Sequence, residues 1–88
     1  MNYILYQNFP NPFNSETQIK YTILNPNVVT LKIYDMLGRV VFTRVENIQS
    51  PMTKTVYFNA ENFSSGVYFY TLKVGTDYFE TKKMLLLR

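Results

Sequence analysis

Two β-prone runs stand close together between Val29 and Val45, and their spacing constrains this chain more than any other feature. Thr30-Leu31-Lys32-Ile33-Tyr34 and Val40-Val41-Phe42-Thr43-Arg44-Val45 are separated only by Asp35-Met36-Leu37-Gly38-Arg39, a connection short enough to demand a β-hairpin. Hairpin loops of this length commonly end with one residue at positive φ. That conformation costs most side chains about 1–2 kcal/mol through a Cβ clash and costs glycine little. Gly38 is therefore expected at positive φ, and Asp35 is expected to open the turn by accepting a hydrogen bond from a nearby backbone N–H. The hairpin fixes one strand pair in register, and the other segments have the length and pattern of strands that add to it.

Taken in order, Tyr3 to Tyr6 reads as a short first strand. It ends at Gln7-Asn8-Phe9-Pro10-Asn11-Pro12-Phe13-Asn14, where two prolines remove backbone donors and disfavour helix in the residues before them. This is an extended loop with two aromatic anchors, Phe9 and Phe13, expected to cover one end of a core. Thr17 to Leu24 alternates cleanly, with Ile19, Tyr21 and Ile23 on one face. Asn25-Pro26-Asn27 turns the chain, and Leu31 and Ile33 resume the buried face. After the hairpin, Glu46 to Met52 reads as a loop and Thr53 to Phe58 as a strand with Val56 and Phe58 inward. Asn59 to Ser65 is polar apart from Phe63 and is expected to hold one turn of 3₁₀ helix. Gly66 to Val74 is the most β-prone run and belongs in the middle of a sheet. Gly75-Thr76-Asp77 turns into a last strand, Tyr78 to Leu87. No window sustains a helical period, and there is no internal repeat or low-complexity tract.

Seven short strands with near-regular turn signals and no helix predict an all-β fold, a seven-stranded antiparallel β-sandwich, and one corner of it is similar to immunoglobulin-like sandwiches. The placement of Phe63, Gly66 and Tyr68 matches the corner of such sandwiches, where a tyrosine near the start of the sixth strand bonds back to upstream backbone. Tyr68 is assigned that role. Ile19, Tyr21, Ile23, Leu31, Ile33, Val56, Phe58, Tyr68 and Leu72 form the expected core.

The 88 residues fit one domain, and their 47% hydrophobic and 17% charged composition is globular. The longest apolar runs, Val67 to Tyr70 and Met84 to Leu87, are far too short to cross a bilayer as a helix. Met1-Asn2-Tyr3 lacks the basic and apolar regions of a signal peptide, so the chain is expected to be cytoplasmic or a piece of something longer. A net charge of +3 is spread along the sequence, with only Lys82 and Lys83 adjacent. It is better explained by a solvated outer face than by a stripe tracking phosphates.

The sequence holds no histidine and no cysteine, which excludes disulfides, thiol chemistry and any nucleophile activated by histidine. The acidic residues, Glu16, Asp35, Glu46, Glu61, Asp77 and Glu80, lie mostly beside turns and suggest no cleft. There is no glycine-rich phosphate loop and no calcium loop. The expectation is a chain without catalysis, cofactor or metal. Gly66-Val67-Tyr68-Phe69-Tyr70 superficially resembles the stacking strand of an RNA-binding fold, but the two helices of that fold are missing and Ser65 stands where its motif carries a basic residue. A buried central strand accounts for it better.

Four blocks of the sequence together resemble one known family. They are Tyr6 to Asn14, Leu31-Lys32-Ile33-Tyr34-Asp35-Met36-Leu37-Gly38-Arg39-Val40-Val41, Phe63 to Tyr70, and Glu80-Thr81-Lys82-Lys83-Met84-Leu85-Leu86-Leu87-Arg88. Their order and character are similar to the type A C-terminal sorting domain of the type IX (Por) secretion system of Bacteroidetes and their relatives. The resemblance spans essentially the whole chain. It departs at Ser15, where the family commonly has proline, and within Ser50-Pro51-Met52-Thr53, where it commonly has a turn glycine.

The resemblance implies an immunoglobulin-like domain, residues 1–88, following a larger passenger protein with its own signal peptide. It implies transit through the periplasm, reading by the outer-membrane translocon, and in many members removal by a sortase-like surface peptidase, with the passenger left secreted or at the cell surface. No nucleic acid and no transmembrane segment is implied. The residues expected to carry sorting are Pro10, Asn11, Pro12, Phe13, Gly38, Arg39, Gly66, Tyr68, Lys82, Lys83, Met84, Leu85, Leu86, Leu87 and Arg88. Lys82 and Lys83 should point to opposite faces of the last strand. That pair and Leu85 to Arg88 are expected to form a docking edge, with Met84 and Leu86 packed beneath. The rival expectation is a carbohydrate-binding or adhesive immunoglobulin-like accessory module of a secreted protein.

Overall fold

A computed structural model describes residues 3–88. Seven strands follow one another along the chain: β1 (Tyr3–Leu5), β2 (Glu16–Ile23), β3 (Asn27–Tyr34), β4 (Val40–Ile48), β5 (Met52–Asn59), β6 (Gly66–Val74) and β7 (Tyr78–Leu86). They form two antiparallel sheets, β1-β2-β5 and β4-β3-β6-β7, packed face to face as a sandwich. The described residues contain no helix.

The tight connection Asp35–Arg39 decides part of this topology. It keeps β4 beside β3, with Ile33 opposite Phe42 and Leu31 opposite Arg44, and a β-bulge follows Ile33. In a constant-type immunoglobulin domain the fourth strand crosses to the sheet of the fifth; here β4 stays with β3. As expected from its composition, β6 is central, bonded to β3 on one side and β7 on the other.

Alternation places Ile19, Tyr21 and Ile23 of β2 and Val56 and Phe58 of β5 against Leu31 and Ile33 of β3 and Tyr68, Tyr70 and Leu72 of β6. All nine residues of the expected core are buried. Met84 and Leu86 of β7 and Tyr3 and Leu5 of β1 complete it.

Several local expectations are corrected. Phe9 does not cover the core: 76% of it is exposed, while Phe13 is buried. The reason is register, because Phe9 bridges to Gln18 on the outer face of β2. Glu46, Asn47 and Ile48 continue β4 rather than starting a loop, since Glu46 pairs with Val29 and Ile48 with Asn27. Ile48 is buried by that pairing. Asn59 to Ser65 holds a single hydrogen-bonded turn, Phe63 N to Ala60 O, with the three-residue spacing expected there but without growing into a 3₁₀ helix. The last strand stops at Leu86, and alternation persists through its apolar tail, with Met84 and Leu86 buried and Leu87 exposed.

Candidate functional site

The strand directions bring all four sequence blocks to one end of the domain. The start of β2, the hairpin between β3 and β4, the end of β5, the start of β6 and the end of β7 meet there. The domain is 37 Å along its longest axis. The Asn25-Pro26 turn, the β6–β7 turn and the first residue of β1, which pairs with Ile23, lie at the opposite end.

The loop Gln7–Asn14 crosses from the β1-β2-β5 sheet to the outer edge of β7 and acts as a latch. Its first half stays with β2 through Tyr6 N to Lys20 O and the reciprocal pair between Phe9 and Gln18. Its second half docks on β7. Phe13 N donates to Leu85 O and Leu87 N to Phe13 O, both at 2.9 Å, and Leu85 N donates to Asn11 Oδ1 at 3.0 Å. Gln7 Nε2 donates to Lys83 O at 2.8 Å. The β7 edge from Lys83 to Leu87, expected as a docking edge, is thus paired within the domain by the loop.

Buried polar groups hold the latch from beneath. Tyr70 Oη donates to Tyr6 O and accepts from Asn8 N, both at 2.8 Å, so a central strand of one sheet is bonded to a loop leaving the other. Asn8 Nδ2 donates to Pro10 O and Thr17 Oγ1, and Thr17 Oγ1 donates to Pro10 O. Burial pushes the Tyr70 hydroxyl up to about 12. Asn8, Thr17 and Tyr70 were absent from the residues read as functional. The available signal was an asparagine set between aromatic residues just ahead of a proline. Pro10 and Pro12, both cis, are exposed, as is Asn11.

Ser15, where the family resemblance leads one to expect proline, has φ 77°. Proline is locked near −65° and cannot adopt it. The departure in sequence is a departure in loop geometry, fixed by Ala60 N donating to Ser15 O at 2.6 Å.

The chain end is clamped as well. Arg88 Nη1 donates to the carbonyls of Ala60 (2.8 Å), Glu61 and Phe63 (2.9 Å), and Arg88 N donates to Ser65 Oγ. Nη1 carries two hydrogens, so the three carbonyls share them, one N–H serving two acceptors. Below it, Phe58 stacks on Phe63 and meets Phe13 and Phe42 edge-on. Tyr68 Oη donates to Ser64 O at 2.6 Å, the back-bond expected of it. Gly66 has φ 148° at the entry to β6, a conformation side chains rarely adopt.

Lys82 and Lys83 do point to opposite faces. Lys82 is half-buried and pairs with Glu80 at 3.3 Å, while Lys83 is exposed. Glu80 is held below the usual carboxylate range by the hydroxyl of Tyr78 first and by Lys82 after it.

The hairpin behaves differently from the latch. Asp35 accepts Gly38 N at its carbonyl and donates its own N–H to Arg39 O, both at 3.0 Å. Its Oδ1 accepts Leu37 N and Arg39 N at 2.9 Å, and its Oδ2 accepts Arg39 Nε at 2.7 Å. The backbone N–H of Arg39, foremost among these donors, holds the Asp35 carboxyl below its ordinary value. Gly38 has φ 82°, as expected. Clefts flank the loop, one against Ser64–Tyr68 and one against Val40, Val41, Asn62 and Phe63.

Fold and site define a small β-sandwich whose distinctive residues gather at one end. Among the described residues there is no group of histidine, cysteine and carboxylate side chains fit to hold a metal. The family model described as "Secretion system C-terminal sorting domain" matches residues 7–87. The chain belongs to that family, the C-terminal sorting domains of the type IX secretion system.

Among curated proteins none matches. Among solved structures, a β-glucosidase from Listeria innocua in complex with isofagomine is similar over 97% of this chain, with 12% identity and a TM-score of 0.56. A mutant of that enzyme in complex with laminaribiose is similar over 99%, with 12% identity and a TM-score of 0.58. This chain spans 16% of the length of each. At that identity the likeness shows the fold alone.

Proposed function

We propose that residues 1–88 form a single domain that acts as an address without catalysis of its own. The family match over residues 7–87 carries this reading. Sorting by the type IX system implies a passenger and export to the cell surface or beyond. The finer steps are proposals. The passenger crosses the periplasm, the outer-membrane translocon reads the folded domain, and a sortase-like peptidase then removes it at the surface. In this reading the immunoglobulin-like sandwich is the recognised object, and the latch and the Arg88 clamp keep its β7 edge paired during transit. Strand edges left open in a periplasm crowded with other chains invite wrong pairing.

The experiment fuses residues 1–88 to the C-terminus of a periplasmic reporter in a cell with the type IX system and assays the reporter outside. Export in that cell, and retention in an otherwise equal cell without the translocon, is the expected result. Retention in both overturns the reading.

One observation favours the rival accessory-module reading. Phe9, Gln18 and Tyr57 share one row of the outer face of the β1-β2-β5 sheet, and both rings are exposed. Aromatic rings on a flat sheet can stack on sugars. Binding of the isolated domain to polysaccharide, lost in Tyr57→Ala, would support that rival.

A further inference from the structure

Within the sorting reading, on which this inference rests, the motif-bearing end exposes Phe9, Leu87 and one consecutive apolar pair on a turn, Met36-Leu37. Met36 and Leu37 are consecutive, large and apolar, and they are 69% and 78% exposed. Nothing in the hairpin requires them. The side chains of Asp35 and Arg39 and backbone groups of Asp35, Leu37, Gly38 and Arg39 make the hydrogen bonds that shape the turn, and neither apolar side chain takes part. Polar residues would serve equally at those two positions and would avoid the cost of exposing apolar surface.

Several of the other motif residues are occupied internally, while Pro10, Pro12, Lys83 and Leu87 are exposed. Met84 and Leu86 are buried, Leu85 N is bonded to Asn11, and the Arg88 guanidinium lies on three carbonyls. The Met36-Leu37 tip, by contrast, is held rigidly outward by the five bonds on Asp35. A rigid loop loses little conformational entropy on binding, which is what a recognition element needs. The clefts on either side, one of about 190 Å³ and lined by Ser64, Ser65 and Val67, leave room for a partner's rim to close around the tip.

Access follows from topology. β1 begins at the opposite end of the 37 Å domain, so a passenger preceding Tyr3 emerges there and leaves the hairpin end clear. Charge indicates the partner's character. Arg39 is 73% exposed beside the tip, and its Nε alone is engaged by Asp35.

We propose that the Asp35–Arg39 hairpin is the surface the translocon reads, with Met36 and Leu37 inserting into an apolar pocket whose rim is acidic and faces Arg39. A few anchor residues seated in a desolvated pocket carry most of the binding energy of many interfaces, and Arg, as at Arg39, is often among them.

The test uses the reporter fusion above with the wild-type domain, Met36→Ser/Leu37→Ser, and Tyr57→Ser as a control for exposed apolar surface elsewhere. Extracellular reporter and the melting temperature of each purified domain are measured together. The expected result is loss of export by about ten-fold or more in the double variant, with its melting temperature unchanged and Tyr57→Ser exported like wild type. Arg39→Glu should reduce export by a smaller factor. Undiminished export of Met36→Ser/Leu37→Ser while the wild type is exported overturns the inference and leaves the sorting reading standing. Loss of export matched by a lower melting temperature also overturns it, because the tip would then be structural. Failure of the wild-type fusion brings down the sorting reading and this inference with it.

Discussion

The latch and the hairpin lie at the same end of the sandwich, and both come from the sequence blocks that mark the family, yet they spend their side chains in opposite directions. The latch turns inward: Phe13 is buried and Asn8 is enclosed. Its backbone completes the edge of β7. The hairpin satisfies its own backbone through one aspartate and turns its apolar residues outward. Blocks of equal distinctiveness in the sequence therefore need not do the same work in the fold. The contrast is physical. Removing a latch residue leaves buried groups unpaired or a cavity, whereas the tip residues are mostly in water, with the Met36 thioether beside Gly66.

The sharpest break of this contrast is Phe13→Ala. Phe13 fills the core end against Phe58 and anchors the latch on β7. Its truncation should cost about 3–5 kcal/mol, a large part of the stability of a domain this size. A denaturant titration reads the effect directly, and export should fall only as the folded fraction falls. If export is abolished while the domain remains as stable as wild type, the latch is itself a recognition surface and the contrast collapses.

Next in size is Tyr70→Phe. The substitution keeps the ring but strips the partner from Tyr6 O and Asn8 N. Leaving such buried groups unsatisfied costs about 1–3 kcal/mol. Faster amide exchange confined to Gln7–Asn14 and the Lys83–Leu87 edge would show that the tyrosine acts through the latch; uniform acceleration would show that it does not.

On the hairpin, Gly38→Val should cost about 1–2 kcal/mol, because φ 82° is strained for a side chain even though open space surrounds the position. Arg39→Ala should leave the melt nearly unchanged, since its ion pair with Asp35 is largely exposed. A marked loss of stability in Arg39→Ala would move the hairpin toward the latch in kind.

The smallest effect is pH dependence, and it has a different sign at each extreme. Asp35, Glu46 and Glu80 all sit below their ordinary values when folded, with Lys54 the chief cause at Glu46. Their contribution is complete above the ordinary carboxylate range and is lost as the pH falls below about 4. Tyr70 and Tyr78 are pushed up to about 12 by burial. Their contribution is complete below about 10 and is lost as the pH rises through about 12. Asp35→Asn should soften only the acid limb and Tyr70→Phe only the alkaline one, as melts across the pH range would show.

What the sequence determined by itself was local and periodic. Alternation identified the inward face of β2, β3 and β5, because a period of two in side-chain direction is a property of the strand alone. The five residues from Asp35 to Arg39 gave the hairpin, its capping aspartate and its left-handed glycine, because a short loop leaves few conformations open. The tyrosine bonded to Ser64 was legible for the same reason, its partner lying four residues upstream.

The tertiary structure decided what depends on distant partners. Phe9 and Phe13 occupy similar positions in one proline-rich loop, and only the pairing of Phe9 with Gln18 and of Phe13 with Leu86 sends one outward and the other into the core. Glu46 to Ile48 became strand because β3 lay alongside. Tyr70, absent from the expected core, is buried, and its hydroxyl meets a loop more than sixty positions earlier in the chain. Arg88, read as a terminal docking residue, closes on carbonyls of the β5–β6 turn because the end of β7 arrives beside it. Contacts of that range depend on how two sheets close over each other, and no local pattern records which side chain will be enclosed when they do.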